Sequence, residues 1–336
     1  MSKFTFILVF TTVSIVCEDN GTNGYNLTFS NSPQSYARQK IRRSVQNWKN
    51  HAQCGVTYET RIIGGENAAP GEFPWVVLLL FTSSLLPKNR LAALCSGSII
   101  SDRHVITSAH CLIDKDDPSF KLAAVRTGVH NKANHEICVG SVCYPQSKYE
   151  DYHIDKQYVH YLFQGSAFSG YDIALIRVDR NFKFNNYVQP ICLDTSKTLL
   201  KELAGTDFVS SGWGYTRYDK KTKEYYVDAN ILQKITLPVL SDDQCQLVLQ
   251  DTYKYSSKIS DTESVICAGG SLLRDTCPGD SGGPLMKIIS SENDLPRYHL
   301  FGTVSFGGTP CGQKFKPGVF TKVSHYLRWI SANFNE

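Results

Sequence analysis

Apolar residues in this chain come in short runs broken by turn signals. Trp75–Phe81, Ser98–Ile100, His104–Thr107 and Ile173–Val178 are four of them, and Phe208–Ser210, Ile235–Leu237, Gly302–Phe306 and Gly318–Thr321 follow. Runs this short, rich in β-branched and aromatic residues, predict many strands of an all-β sandwich or barrel. The last stretch differs. Between Val323 and Ile330, the residues Tyr326, Leu327 and Ile330 recur at helical spacing and predict a closing helix. Residues 18–61 show neither pattern. They are polar and carry a basic run with Arg38, Lys40, Arg42 and Arg43, so a flexible segment is expected.

Ahead of that segment, Lys3 precedes an apolar run from Phe4 to Val16, and Glu18-Asp19-Asn20 follow it. A charged start, a short apolar stretch and a polar flank predict a secretory signal over residues 1–17. The run is too short for a comfortable membrane span. Removing it takes Cys17 from the 11 cysteines and leaves 11 − 1 = 10, an even number suited to five disulfides in an oxidising compartment. Asn20 and Asn26 each begin an Asn-X-Thr glycosylation sequon. The expected location is extracellular. A formal net charge of +4 spread over 336 residues gives no reason to expect nucleic acid or a membrane as partner.

Candidate chemistry centres on Asp275-Thr-Cys-Pro-Gly-Asp-Ser-Gly-Gly-Pro284. Ser281 sits among glycines that let backbone N–H groups converge on one spot. A serine nucleophile needs a base and a site for the charge it creates. Of the nine histidines, only His110 lies in a tight turn locked by a neighbouring cysteine, in Thr107-Ser-Ala-His-Cys111. Asp172, leading into the apolar run Ile173-Ala-Leu175, is the candidate carboxylate to orient that base.

With Ile62-Ile-Gly-Gly65, Ser211-Gly-Trp-Gly214 and Gly318-Val-Phe-Thr-Lys-Val323, these motifs stand in one order. In that order residues 62–336 resemble the chymotrypsin/trypsin family of serine endopeptidases. The resemblance implies two packed six-stranded antiparallel β-barrels with a C-terminal α-helix. It implies that Ser281 is the nucleophile, His110 the base and Asp172 its orienting acid, with the N–H groups of Gly279 and Ser281 as oxyanion hole. It implies that Asp275 is the floor of a pocket for Arg or Lys, bordered by Ser305, Phe306, Gly307 and Gly318. Pro278 stands where relatives often carry a long polar residue, at the rim. Arg61-Ile62 resembles a zymogen cleavage site whose freed Ile62 amine pairs with Asp280. Residues 18–61 are then a propeptide or light chain. Digestive or venom proteases and a non-catalytic homologue are the alternative readings.

The resemblance further implies the disulfides Cys95–Cys111, Cys245–Cys267 and Cys277–Cys311, with Cys54–Cys192 as a tether for the light chain. Cys138 and Cys143 would close a small loop, as in arthropod clip-type cascade proteases, although residues 18–61 hold one cysteine where a clip module has six. The expected partners are a protein substrate cut after Arg or Lys, an upstream trypsin-like activator and a macromolecular inhibitor. No cofactor or metal is expected. The set His130, His135, Cys138 and Cys143 is better read as oxidised cysteines than as a zinc site. Val129 stands where a calcium loop usually carries an acid. Lys220, Lys221 and Lys223 form a basic loop, read as solvated rather than as an exosite.

Overall fold

The computed structural model describes residues 6–10, 13–19, 25–30, 49–57, 66–87, 90–113, 119–133, 136–139, 142–145, 149–195, 200–219, 221–253, 262–272, 275–291 and 294–334. They fall into two compact units: residues 50–327, and residues 1–49 with 328–336.

In the smaller unit, Phe6–Phe10, Val13–Asp19 and Tyr25–Ser30 form a three-stranded antiparallel sheet. Cys17 lies inside the middle strand, and the third strand falls in the segment expected to be flexible. Phe, Ile, Val and Thr favour strands whatever other role a segment has. At the other end of the chain, a 3-10 turn at Val323–Tyr326 leads into the α-helix Leu327–Phe334. The helix outlasts its apolar spacing, and the Asn333 side chain donates back to the Trp329 carbonyl.

The larger unit opens with a closed six-stranded antiparallel barrel. Its strands run in the order Glu150–Val159, Ala174–Val178, His104–Thr107, Ala92–Ile99, Val76–Thr82 and Lys121–Thr127. Val76–Phe81 is buried at every position, which explains its unbroken apolar run. Glu150–Val159 and Lys121–Thr127 mix buried positions with open ones, and their polar content hid them from a search for apolar runs.

The second half is an eight-stranded sheet. Val265–Ala268, Gly318–Lys322, Asp294–Phe306, Pro284–Ser291, Asp207–Gly212, Gln233–Pro238 and Glu66–Asn67 follow one another, and Cys192–Leu193 pairs alongside Asp294–Phe306. Six of these strands curl round a core of Phe208, Leu237, Ile266, Leu285, Phe301 and Phe320. A single bridge, Val239 to Ala268, joins the two ends. The second barrel is thus nearly closed, where the resemblance implied full closure. Register shifts in Pro284–Ser291 and Asp294–Phe306 spend ladder length on bending. The helix Asp242–Asp251 was not foreseen, although Ser241 and Gln244 form a capping box at its start.

Four disulfides brace the larger unit: Cys54–Cys192, Cys95–Cys111, Cys245–Cys267 and Cys277–Cys311. Cys138 and Cys143 face each other in a two-stranded ladder, but their side chains lie outside the description.

Candidate active site

His110 lies in the 3-10 turn Ala109–Cys111, directly after the barrel strand His104–Thr107. Cys111 ties this turn to Cys95 on the adjoining strand. A loop of this size contributes about 3 kcal/mol in the chain-entropy view. The backbone N–H of His110 donates to Asp172 Oδ1 at 2.9 Å. Its Nδ1 meets Asp172 Oδ2 at 2.8 Å. An ionised carboxylate only accepts, so Nδ1 carries the proton and Nε2 is left as the basic nitrogen. Asp172 is 1% exposed. Ser305 Oγ gives its carboxylate a third donor at 2.5 Å, and Thr321 Oγ1 donates to its main-chain carbonyl at 2.8 Å. Each of these polar groups is thereby satisfied, the condition for burying them.

Ser281 occupies the turn between the two halves. Ser96 N–H, on the first barrel, donates to the Ser281 carbonyl at 2.8 Å. Ser108 Oγ and Gly282 N–H both donate to Val304 O, at 2.7 and 3.0 Å. The chain carrying Ser281 is therefore fixed to the residues flanking His110 and to the strand carrying Ser305. Gly279 has φ = 98° and Gly282 φ = 75°, values that a side chain disfavours. A Cβ on Gly282 would also press into Thr107 Oγ1 and Ser96 O. Among the described residues, neither the Gly279 nor the Ser281 N–H is donated to another protein atom.

Asp280 accepts from Gly214 N–H at 2.7 Å and from Cys277 N–H at 2.9 Å. A Cβ on Gly212 or Gly214 would run into its carboxylate, which accounts for both glycines of Ser211-Gly-Trp-Gly214. Its surface keeps some solvent contact, yet dense packing pushes the carboxyl above the usual range, against the two backbone donors and Lys132. A cavity of about 340 Å³ beside it is lined by Gly212, Gly214, Lys234, Asp275 and Asp280, among others.

Asp275 lies close by. Burial pushes its carboxyl up to about 7; Gly312 and Thr276 N–H groups oppose the rise, and the charge of Asp280 adds to it. Gly307 and Gly318 form the space over it: Cβ atoms there would come within 3.6 Å and 2.8 Å of its oxygens. Phe306 packs edge-on against Phe168 at 4.7 Å and Tyr253 at 5.5 Å. Pro278 is exposed, and its carbonyl accepts from Tyr215 N–H.

Several sequence-predicted positions are not placed. Arg61, Ile62, Asn20, His135 and Lys220, and the side chain of Asn26, lie outside the described residues. Cys95, His110 and Cys111 cluster like metal ligands, but both sulfurs are spent in a disulfide. Sequence reasoning missed the buried ion pair of Lys234 with Glu72 at 2.7 Å, whose partners lie 162 residues apart. It quoted Thr321 within a motif without giving it a role.

The trypsin family matches residues 62–330. Phenoloxidase-activating factor 1 of Holotrichia diomphalia is 33% identical over 93% of this chain and 82% of its own length. The Spaetzle-processing enzyme of Drosophila melanogaster is 34% identical over 82% and 67%, and Melanization protease 1 of the same fly 31% over 96% and 78%. Among solved structures, the Drosophila Grass clip serine protease of the Toll pathway superposes with a TM-score of 0.67 at 26% identity, covering 93% of this chain and 82% of that one. With the ordered motifs, the double-barrel fold and these relatives together, the chain belongs to the trypsin family of serine proteases.

Proposed function

We propose that this protein is the secreted zymogen of a serine endopeptidase that cuts after Arg or Lys, is activated by cleavage between Arg61 and Ile62, and acts in a limited-proteolysis cascade. The observation that carries the reading is the His110–Asp172 pair, bonded through both the backbone N–H and Nδ1 of the histidine. That arrangement leaves Nε2 to serve as base.

In the proposed reaction, Ser281 Oγ attacks the scissile carbonyl and its proton passes to His110 Nε2. Asp172 stabilises the imidazolium. The N–H groups of Gly279 and Ser281 hold the oxyanion, each such donor being worth about 10²–10³ in rate. The C–N bond breaks as Nε2 returns the proton to the leaving amine, and water then releases the acyl group by the same steps. Asp275 under Gly307 and Gly318 supports a long cationic side chain as the residue recognised. Phe306 gives the bound peptide a flat apolar face.

The cavity beside Asp280 suits the Ile62 amine freed by cleavage. The names of the relatives, phenoloxidase-activating, Spaetzle-processing and melanisation, support a cascade with an activating protease upstream; a macromolecular inhibitor is the further partner we propose. No helix among the described residues is long and apolar enough to cross a membrane.

Labelling with a fluorophosphonate after cleavage at Arg61 tests the reading. Labelling is expected in the parent and lost in Ser281→Ala. An unlabelled parent would favour the non-catalytic alternative.

A further inference from the structure

Just before Asp172 the backbone is held against its preference. Tyr171 has φ = 57°, and Gly170 before it φ = 76°. Glycine takes such values freely, whereas a tyrosine does so rarely. Lys223 and Phe315 share this conformation but sit exposed in loops. Tyr171 is different, because the next residue is the buried acid that three donors converge on.

What holds Tyr171 is a ring stack. Its ring lies over His160 with centroids 5.1 Å apart and planes 13° from parallel. His160 stacks with Tyr161 as well, at 4.8 Å, and Tyr326 meets it edge-on at 5.3 Å. His160 is buried, and its Nδ1 accepts from Leu162 N–H at 3.3 Å. Its own N–H donates to the Ile173 carbonyl at 3.2 Å. One histidine thus grips the chain on both sides of Asp172, by ring contact before it and by backbone after it. Between these grips, Ile173 N–H closes a tight turn onto the Tyr171 carbonyl at 2.8 Å, with Asp172 at the apex.

We infer that Tyr171 and His160 are positioning residues, whose stacked rings hold the left-handed turn that aims Asp172 at His110. The three donors fix the far end of the carboxylate. They reach it only if the Cα–Cβ bond leaves the backbone in the right direction, and the turn sets that direction. Burial, with the charge of His325, lowers His160 to a pKa of about 4, so the stacked ring stays neutral at physiological pH. The inference rests on the proposed activity, since it concerns the same acid–base pair.

The test uses the chain cleaved at Arg61, with kcat expressed per titrated active site and the low-field proton resonance of His110 Nδ1 followed by NMR. Tyr171→Phe keeps the ring and should stay within twofold of the parent. Tyr171→Ala has neither the ring nor tolerance of positive φ. Its kcat should fall about 10- to 100-fold, as expected when a catalytic group is misplaced by a fraction of an ångström to an ångström. KM should stay within twofold, and the resonance should shift or broaden. Tyr171→Asn tolerates the backbone without the ring, so it keeps the fold available if the alanine variant does not form; its kcat should fall about threefold to tenfold, with the same spectral change. An unchanged kcat and resonance in either ring-less variant would overturn the inference, whatever happens to Tm. A parent that forms no fluorophosphonate adduct would instead sink the proposed activity, and the resonance of parent against Tyr171→Asn would still decide the stack.

Discussion

The two halves of the larger unit carry their charges in different ways. The first barrel closes through a continuous ladder and contributes His110 and Asp172. Its one buried acid at the site accepts from three donors, two of them on the histidine it serves. The second sheet closes through a single bridge and contributes Ser281, Asp275 and Asp280. Its two acids accept hydrogen bonds from backbone donors, with the charge of Lys132 acting on Asp280 as well, and burial still raises both. A buried carboxylate whose burial its neighbours do not fully offset is costly, so this half holds electrostatic demand that a positive charge would relieve. In the proposed activated enzyme, two cations answer it: the amine of Ile62 at Asp280 and a substrate side chain at Asp275. On that proposal, the acid–base half is finished before cleavage and the pocket half is completed by it.

The sharpest way to break the comparison is on the finished side. Asp172→Asn keeps the size of the side chain but favours the wrong histidine tautomer. Activity of the cleaved chain should drop about 10⁴-fold in kcat with little change in KM. Steady-state kinetics on an arginyl ester would show it. A loss no greater than tenfold would mean that the first barrel is not the source of the base.

Next in size is a stability effect in the second half. Lys234 and Glu72 are both buried and paired at 2.7 Å, and Glu72 also accepts from Ala69 N–H. Glu72→Ala would leave the ammonium without its partner beside the cavity. Losing one member of a buried pair costs about 3–5 kcal/mol. Urea denaturation should report that loss, and a change under 1 kcal/mol would show that Lys234 finds another anion, Asp275 and Asp280 being the acids that line the same cavity.

A smaller effect should appear with pH. Only ionised Asp275 attracts a cation, and its folded value lies near 7. Affinity of the uncleaved chain for a small aromatic amidine should therefore weaken as pH falls below about 7, approaching tenfold per unit. The stability term has the opposite sense. A raised carboxyl value stabilises the fold at low pH, and that contribution is lost as pH rises through 7. Asp275→Asn should remove both dependences, as seen by calorimetry at pH 5, 6, 7 and 8. An amidine affinity flat over this range would place the cation elsewhere.

Much of this was readable in the chain because the chemistry sits at sequence-local motifs. Ser281, Asp280, Gly279 and Asp275 lie within seven residues, where glycines and a cysteine mark the turn. His110 was identified by its neighbour Cys111. The apolar strands were legible because burial on both sides leaves few polar positions. What escaped depends on distant partners. Glu150–Val159 reads as polar because one of its faces meets solvent. The pair Glu72–Lys234 is set by folding across 162 residues. Tyr171 looks like an ordinary residue before a strand until its φ and its stack on His160 are known.

The smallest expected effect concerns the segment at residues 50–57, which docks on the second half near Cys192 and Tyr298. Besides the disulfide, six hydrogen bonds hold it on this half, and His51 meets Asp102 at 3.5 Å and the Phe184 ring edge-on at 5.2 Å. Asn50 exchanges two with Leu193, Gly55 donates to Pro190 and accepts from Tyr298, and Arg297 donates to Ala52 O and Cys54 O. At roughly 0.5–1.5 kcal/mol each, these sum to about 3–9 kcal/mol. Association costs an estimated 4–15 kcal/mol in lost freedom. The balance does not favour attachment at micromolar concentration, so the disulfide is what keeps a cleaved light chain in place. After cleavage at Arg61, Cys54→Ser should lose residues before 62 on gel filtration while the parent keeps them until reduced. Activity should stay within twofold, because none of these contacts is made to His110 or Ser281. Retention of the cleaved segment without Cys54 would show that the docked surface reaches further than these six bonds. A loss of activity beyond twofold would tie the light chain to the pocket half and erase the separation between a finished half and a waiting one.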